Sequence, residues 1–271
     1  MNGLTWYSET PEPQPDIPPS AWPRVIVKGV LLAGLVFGGL AILLLVRLVE
    51  RPLHGISRPW TPHITVFVCR QSLAIIGMKW RQNGSVMEDH GAIVSNHVSW
   101  LDVFALNAAG PVYFVSKSEV AGWPGIGWLA RATGTVFIRR ARAAAAQQRG
   151  ELRARLDAGH RLLFFPEGTS TDGLRVLPFK STIFAALAEG DDFVQPVTLN
   201  YRAPDGQIAA FYGWWGNMTY GAHLLRMLAA KRHGSVTLDW HDPIPPTETV
   251  DRKALATRCE DIVRDGLQSE P

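Results

Sequence analysis

The 271-residue sequence predicts an α/β domain, in which a mixed central sheet is flanked by helices, preceded by one N-terminal transmembrane helix. Three observations support this prediction. Short apolar runs alternate with longer helical patterns from Gly91 onward. Residues 29–46 contain no charged side chain. The composition, 46% hydrophobic and 19% charged, is too apolar for a disordered chain and too charged for a channel with many membrane spans.

Residues 1–24 are predicted to be a disordered, proline-rich tail. They contain few aliphatic side chains and therefore cannot bury enough apolar surface to offset chain entropy. Residues 25–50 are predicted to form the transmembrane helix, because the uncharged run reaches the roughly 18-residue lower bound for a span. A cleaved signal peptide is the alternative. The long acidic tail and the lack of a small-residue cleavage site disfavour it.

Positive charges on either side of the uncharged run predict its orientation. Arg24 and Lys28 precede the run, whereas Arg47, Arg51 and Arg58 follow it. Lys and Arg are retained on the cytoplasmic side of a membrane, so the slight excess after the run favours a cytoplasmic domain. We therefore expect a single-pass protein of the inner (cytoplasmic) membrane.

The segment of residues 51–84 contains a second apolar stretch. Arg70 and Gln71 interrupt this stretch, and what remains on either side of them is too short to span a bilayer. An interfacial or membrane-contacting helix is expected at residues 64–80, with a buried core helix as the alternative. The α/β domain is then expected over residues 85–271.

Apolar runs and helical periodicity predict the elements of this domain. Strands are predicted at residues 92–94, 112–115, 135–138, 161–165, 194–199 and 236–240. Helices are predicted at residues 100–107, 127–132, 142–158, 182–189 and 222–232. Loops at the ends of such strands are where α/β proteins bind ligands.

The turn after the first predicted strand of this domain contains His97 and Asp102. On one regular helix their side chains would lie about 140° apart and could not meet, so the helix is expected to begin between them. Ser99 is the expected N-cap, with Asp102 three residues later. Asp102 can then orient His97 through Nδ1 and leave Nε2 as a general base. Alternatively, Asp102 only complements the helix dipole and His97 is an ordinary turn residue.

A second informative turn follows the apolar strand at residues 161–165. Glu167 is an acid directly after this strand, Gly168 permits positive φ, and hydroxyls follow at Thr169 and Ser170. Glu167 could accept hydroxyls of a polar ligand or pair with a nearby base. An ordinary hairpin turn is the alternative.

Basic residues lie between these two turns. Arg139 and Arg140 end a predicted strand, where a pair of fixed positive charges could hold a phosphate or an anionic lipid head group. Solvated surface charge is the alternative. The net charge of +3 does not by itself indicate a nucleic-acid-binding protein.

Several other classes of site lack their motifs. The two cysteines lie far apart, so a disulfide framework and a cysteine metal site are disfavoured. The histidines form no HxxxH or HExxH set. No G-x-S-x-G nucleophile elbow is present, which disfavours a thioesterase or lipase-like hydrolase.

Taken together, four blocks over residues 95–197 resemble the lysophospholipid acyltransferase family. The blocks are Asn96-His97 through Asp102; a block with Lys117, Glu119, Pro124, Gly127, Gly134, Phe137, Ile138 and Arg140; the F-P-E-G-T block from Phe165 to Thr169; and the short block Val194-Gln195-Pro196-Val197. Each block alone is weak, but their order and spacing together are specific.

The resemblance implies the glycerolipid acyltransferase fold and a membrane-bound O-acyltransferase. His97 would be the general base on the free hydroxyl of a lysolipid acceptor, oriented by Asp102. The hydroxyl would attack acyl-CoA or the thioester of acyl carrier protein directly, without metal or cofactor. The implied substrate-binding residues are Lys117, Arg139, Arg140, Glu167, Gly168, Thr169 and Ser170.

The expected acceptor is 1-acyl-sn-glycerol-3-phosphate, which would give phosphatidic acid. One departure bears on it, because many family members carry an arginine where this chain has Ser170. The run from Phe165 to Thr182 and the segment at residues 213–216 are similar to bacterial members that acylate lyso-ornithine lipid, which is the alternative acceptor. An anchored, non-catalytic lipid-binding protein is the alternative of another class. No nucleic-acid partner is expected.

Overall fold

A computed structural model describes residues 5–9, 12, 17–139, 145–187, 191–248 and 251–268. The strands are β1 (Lys79–Asn83), β2 (Gly91–Ser95), β3 (Tyr113–Lys117), β4 (Val136–Ile138), β5 (Arg161–Phe164), β6 (Phe193–Arg202) and β7 (Ser235–Trp240). The helices are α1 (Trp22–His54), α2 (Thr61–Ile76), α3 (Leu101–Ala109), α4 (Ile126–Thr133), α5 (Ala145–Asp157), α6 (Tyr220–Ala229) and α7 (Arg252–Asp265).

The seven strands form one sheet in the order β1-β7-β6-β2-β5-β3-β4. Strands β6, β2, β5, β3 and β4 run parallel, whereas β7 is antiparallel to β6 and carries β1 parallel to itself. The predicted mixed sheet is confirmed, and each of the six predicted strands is present. β1 was not predicted, and with it the sheet begins at Lys79, before the expected domain boundary at residue 85.

Helices cover both faces of the sheet, which explains why the central strands are apolar throughout. On β2, Ile93 packs in the cluster that includes α2, α3 and α6. Its neighbours Ala92 and Val94 pack in the opposite cluster, which includes α5 and α7. The helix predicted at residues 182–189 is a short 3-10 helix at Ile183–Ala186, and residues 188–190 lie outside the described part of the chain.

α1 and α2 form an antiparallel hairpin. A stripe of α1 is buried, including Val25, Leu32 and Leu43. At Gly39 the helices approach so closely that a Cβ atom would lie 2.5 Å from the Val68 side chain. The expected helix in the second segment is therefore α2, which buries one side against its neighbours and leaves Phe67 58% exposed.

The turn of this hairpin is held by a buried carboxylate. Glu50 accepts hydrogen bonds from the main-chain N–H groups of Trp60, at 2.7 Å, and Thr61, at 3.0 Å. It also accepts the Thr61 hydroxyl at 2.6 Å. These N–H groups have no partner within α2, so Glu50 satisfies the start of that helix. The hairpin therefore has a fixed corner.

Both ends of the hairpin contact the α/β domain. At one end, Arg24 donates to the Ala229 carbonyl of α6 at 2.9 Å. At the other end, Arg58 donates to the Ala132 carbonyl of α4 at 2.7 Å. Among the described residues, one stretch, Pro19–His54, is helical, long and apolar enough to cross a membrane. Its outer side exposes large apolar side chains, among them Val30, Leu45 and Leu48.

Part of the proline-rich tail lies within the described residues. Ser8 donates to the Asp172 carboxylate at 3.0 Å, and the Glu12 carboxylate accepts the Asn217 main-chain N–H at 2.7 Å. Residues 1–4, 10–11 and 13–16 lie outside the described part of the chain, so their predicted disorder stays a prediction. The last residues of the predicted tail are ordered instead, because Pro19–Ala21 form a 3-10 helix and α1 begins at Trp22.

Candidate active site

The loop after β2 contains His97, and its geometry follows from pairing in the sheet. Val94 on β2 pairs with Phe164 on β5, so the loops that follow these two strands emerge side by side. Asn96 is buried and fixes the loop to β6, because its amide donates to the Leu199 carbonyl at 3.0 Å and accepts the Leu199 N–H at 2.8 Å. His97 therefore projects from a rigid part of the sheet.

His97 and Asp102 form a direct hydrogen bond. α3 begins at Leu101, between the two residues, as their spacing required. Nδ1 of His97 lies 2.7 Å from Oδ2 of Asp102. The same oxygen accepts the main-chain N–H groups of Val98, at 2.7 Å, and Ser99, at 3.1 Å. The carboxylate, which is fully buried, is thus held in one orientation.

Ser99 and Asp102 make the two hydrogen bonds of the expected capping box. The Ser99 hydroxyl accepts the Leu101 N–H at 3.3 Å, and the Asp102 carboxylate accepts the Ser99 N–H at 3.1 Å. The regular helix starts one residue after Trp100, whose backbone is already helical and whose side chain makes no capping bond.

Tyr201, on β6, is a partner that the sequence did not suggest. Its hydroxyl donates to Oδ1 of Asp102 at 2.8 Å. Burial, reinforced by the adjacent Asp102 charge, raises the pKa of Tyr201 well above its usual value, so the phenol keeps its proton and remains a donor. No local motif joins residues so far apart in sequence, and only strand order brings them together.

The imidazole of His97 stacks on Phe165, with ring centroids 4.0 Å apart and planes inclined by 14°. The side chain of His97 is 20% exposed. Nε2 has no hydrogen-bond partner among the residues that the structure describes. One ring nitrogen is therefore fixed by Asp102, and the other is available to a substrate hydroxyl.

Glu167 joins the two site loops to each other. Oε1 accepts the His97 N–H at 2.6 Å, and Oε2 accepts the Leu177 N–H at 2.8 Å. Burial raises the pKa of Glu167 to about 8, and these two hydrogen bonds oppose the rise. The side chain thus supports the loop that carries His97. Its expected contact with the acceptor stays a prediction.

The loop after Glu167 turns sharply and closes against the His97 loop. Gly168 has a φ of +72°, and a Cβ atom there would lie 2.4 Å from the Lys180 ammonium nitrogen. The Ser170 hydroxyl donates to the Trp214 carbonyl at 2.5 Å, and the Thr169 hydroxyl donates to the Ser170 carbonyl at 3.3 Å. Ser170 is therefore an uncharged, hydrogen-bonded element of the site wall.

The predicted basic residues lie farther along the same edge. Lys117 pairs in register with Ile138, so Lys117 and the exposed Arg139 both lie at the carboxyl ends of their strands. At about 4.8 Å between neighbouring strands, β3 and β4 lie roughly 10 and 14 Å from β2. Arg140 lies outside the described residues. The structure thus brings His97, Asp102, Glu167 and Ser170 together and places Lys117 and Arg139 at a distance from them.

Comparisons with known proteins agree with the resemblance of the four sequence blocks. The model of the family described as "Acyltransferase" matches residues 79–200. The chain is 52% identical, over 98% of both chains, to a lyso-ornithine lipid O-acyltransferase of Rhodobacter capsulatus. It is 31% identical to a 1-acyl-sn-glycerol-3-phosphate acyltransferase of Neisseria gonorrhoeae, over 64% of this chain and 67% of the relative.

The fold also matches a solved structure. The crystal structure of a 1-acyl-sn-glycerophosphate acyltransferase from Thermotoga maritima superposes with a TM-score of 0.64, covering 91% of this chain and 94% of that one at 20% identity. This likeness confirms the predicted fold. With an aligned relative that spans nearly its whole length, the chain belongs to the acyltransferase family and is a lysolipid acyltransferase.

Proposed function

We propose that this protein is a lyso-ornithine lipid O-acyltransferase that uses His97 as its general base. The acceptor hydroxyl gives its proton to Nε2 of His97 while its oxygen attacks the carbonyl carbon of an acyl thioester. The tetrahedral intermediate then expels the thiolate, which takes the proton from Nε2 of His97. The donor is the acyl thioester of coenzyme A or of acyl carrier protein, and the products are the diacylated lipid and the free thiol.

The acid–base role rests on the arrangement around His97. Asp102 fixes Nδ1 at 2.7 Å, so the neutral imidazole has its lone pair on Nε2. As the imidazole takes up the proton, the buried carboxylate stabilises the positive charge. Since Phe165 packs on the ring and Glu167 holds the main chain, His97 is positioned before substrate binds.

The identity of 52% to the Rhodobacter capsulatus protein carries the choice of acceptor. The structure adds a supporting reason, because Ser170 offers no positive charge for a phosphate beside His97. This reverses the order of acceptors expected from the sequence, in which 1-acyl-sn-glycerol-3-phosphate came first. Lys117 and Arg139 are the proposed contacts for an anionic part of either substrate, including the phosphates of the donor.

The acceptor is tested with the protein in detergent. Acyl-CoA or acyl carrier protein thioester is supplied with lyso-ornithine lipid or, separately, with 1-acylglycerol-3-phosphate, and thiol release and lipid product are followed. We expect turnover of lyso-ornithine lipid and little of the phosphate acceptor. Preferential turnover of the phosphate acceptor would overturn the assignment. The His97→Ala variant serves as the blank for uncatalysed transfer.

We further propose that the α1–α2 hairpin attaches the protein to the cytoplasmic membrane surface without crossing it. Arg24 near the start of α1 and Arg58 just after its end contact the same domain, whereas a spanning helix would separate these two contacts by the thickness of a bilayer. The exposed apolar side of the hairpin then lies in the lipid. This replaces the expected single-pass arrangement.

Cysteine labelling tests the topology. Ser20→Cys and Arg51→Cys lie near opposite ends of α1, at exposed polar positions that an aqueous reagent can reach. In inside-out membrane vesicles, an impermeant thiol reagent is expected to label both variants. Labelling of one variant only would restore the spanning arrangement. The native cysteines, Cys69 and Cys259, are buried and give the background.

A further inference from the structure

A second candidate site lies at the amino ends of the strands, whereas His97 lies at their carboxyl ends. A cavity of about 170 Å³ opens where the α1–α2 connection meets the amino ends of β3 and β5. We call it the amino-edge pocket, and its lining includes Ser57, Arg58, Pro62, Tyr113, His160 and Arg161. The proposed acyl transfer uses none of these residues.

Positive charge converges on the amino-edge pocket. Arg58 and Arg161 line it, and Arg155 lies beside it with Nη1 3.4 Å from Nδ1 of His160. Burial lowers the pKa of Arg58 to about 10, and the charges of Arg47 and Arg155 add to this. Since like charges are costly to hold together, the cluster favours an anion in the pocket.

Carboxylates offset this cluster only in part. Glu50 raises the pKa of Arg58, but its carboxylate already accepts hydrogen bonds from Trp60, Thr61 and Arg47 at the hairpin corner. Arg161 donates to main-chain carbonyls, those of residues 88 and 89. Within the described part of the chain, none of the three arginines forms an ion pair, so the pocket keeps an excess of positive charge.

Two buried nitrogens of side chains that line the pocket form no hydrogen bond of normal geometry with the described residues. They are Nε of Arg58 and Nε2 of His160. Burial lowers the pKa of His160 to about 4, so the ring is neutral; Nδ1 faces the Arg155 guanidinium and must accept, which leaves the proton on Nε2. The Ile56 main chain lies close enough to act as an acceptor for the ring, which opposes the fall in the pKa. The firmer unsatisfied donor is therefore Nε of Arg58, for which an anionic oxygen is a matching acceptor.

The surroundings indicate where such an anion comes from. The exposed side chains of Ile56, at 51%, and Trp60, at 43%, flank the pocket on the α1–α2 connection. They continue the apolar outer side of the hairpin, which contacts lipid in the proposed attachment. A lipid bound here would place its phosphate in the pocket and its acyl chains along the hairpin.

We propose that the amino-edge pocket binds the phosphate of an anionic phospholipid of the surrounding membrane, at a site separate from the acceptor lipid. The proposal rests on the membrane attachment of the hairpin but not on which lysolipid is acylated. It makes the composition of the membrane a determinant of how firmly the enzyme is held.

The test uses the full-length protein and vesicles of phosphatidylglycerol or phosphatidylcholine. A fluorophore on Ser57→Cys reports from the pocket, since Cys69 and Cys259 are buried. We expect at least tenfold tighter binding to phosphatidylglycerol, with Arg58→Gln losing most of this difference. Arg51→Gln is the matched control, because it removes the same charge from an exposed position of α1 that does not line the pocket.

A second variant separates binding from folding, since Arg58 also contacts the end of α4. His160→Phe keeps a ring to stack on Tyr113, whose centroid lies 4.0 Å away, and removes the Nε2 donor together with the Nδ1 contact to Arg155. We expect it to weaken phosphatidylglycerol binding several-fold at an unchanged unfolding midpoint.

Three other results would each contradict one part of the proposal. If Arg58→Gln and Arg51→Gln bind phosphatidylglycerol equally, the pocket is not the binding site. A response to millimolar inorganic phosphate without a response to phosphatidylglycerol would overturn the lipid source. A wild-type protein that binds neither vesicle would overturn the membrane attachment itself.

Discussion

Tyr201 donates a hydrogen bond to the oxygen of Asp102 that His97 does not use, over a distance of 2.8 Å. Both oxygens of the carboxylate are therefore engaged, one by the His97 loop and one by β6. A carboxylate held at both oxygens cannot rotate away from the imidazole. Tyr201 is thus a positioning residue for the general base.

Tyr201→Phe is expected to lower kcat roughly tenfold with little change in KM, because hydrogen bonds to charged groups contribute about 1.5–3 kcal/mol. The pH profile of kcat/KM is expected to shift as well, which a purely structural loss would not cause. Tyr212→Phe is the matched control, since Tyr212 is a buried tyrosine whose ring lies 5.3 Å from that of Tyr201. Equal kinetics for Tyr201→Phe and the wild type would refute the positioning role.

His97→Ala is expected to abolish acyl transfer, and Asp102→Asn to reduce it at least about tenfold by releasing the imidazole. Single-turnover thiol release in detergent measures both. Unfolding midpoints of the variants show whether the fold survives. Substantial turnover by folded His97→Ala would contradict general-base catalysis by this residue.

Glu167 makes stability depend on pH. Its pKa is raised to about 8 in the folded state from an ordinary value of 4.5. Between these values the unfolded chain has lost the proton and the folded chain retains it, so this group lowers the free energy of unfolding as pH rises through that window. The loss is on the order of a few kcal/mol and is complete above the folded pKa.

Glu167→Gln removes this titration. Unfolding midpoints measured at pH 5, 6.5 and 8 are expected to fall less for the variant than for the wild type. The variant must be compared with the wild type, because buried histidines also make the free energy of unfolding depend on pH. His223, whose pKa is lowered to about 3, raises the free energy of unfolding as pH rises, and it does so in both proteins. Identical pH dependence would show that Glu167 is ionised in the folded protein throughout.

Ser170→Arg places a positive charge beside the proposed base. We expect turnover of 1-acylglycerol-3-phosphate to rise several-fold relative to lyso-ornithine lipid, because a guanidinium binds phosphate with two hydrogen bonds. Ser170→Ala is the control, since it loses the bond to the Trp214 carbonyl without adding charge. An unchanged acceptor ratio in Ser170→Arg would mean that specificity is decided elsewhere.

Residue patterns predicted the buried part of the sheet well. The six predicted strands carry apolar side chains that face the core. An apolar run in a sequence indicates a buried strand of this kind. β1 escaped prediction because it is an edge strand of mostly exposed polar side chains. α7 was overlooked although Leu255, Cys259 and Val263 recur at helical spacing after the capping residue Asp251.

The candidate site also has a part that local sequence predicts and a part that depends on strand order. His97 and Asp102 are near neighbours in sequence, so elementary helix geometry could predict that they meet. Tyr201 and the bond from Glu167 to the His97 N–H depend on which strands lie side by side, and no local pattern encodes that order. The distance of Lys117 and Arg139 from His97 likewise follows from strand order.

The position of β2 between β5 and β6 has a consequence for synthesis. Both neighbours of β2 are translated long after it, so the hydrogen bonds between Leu199 and the His97 loop and from Tyr201 to Asp102 cannot form until β6 has left the ribosome. The apolar hairpin is complete well before that. A nascent chain can therefore reach the lipid surface while it is still unable to use an acyl thioester, and chains released before β6 remain inactive.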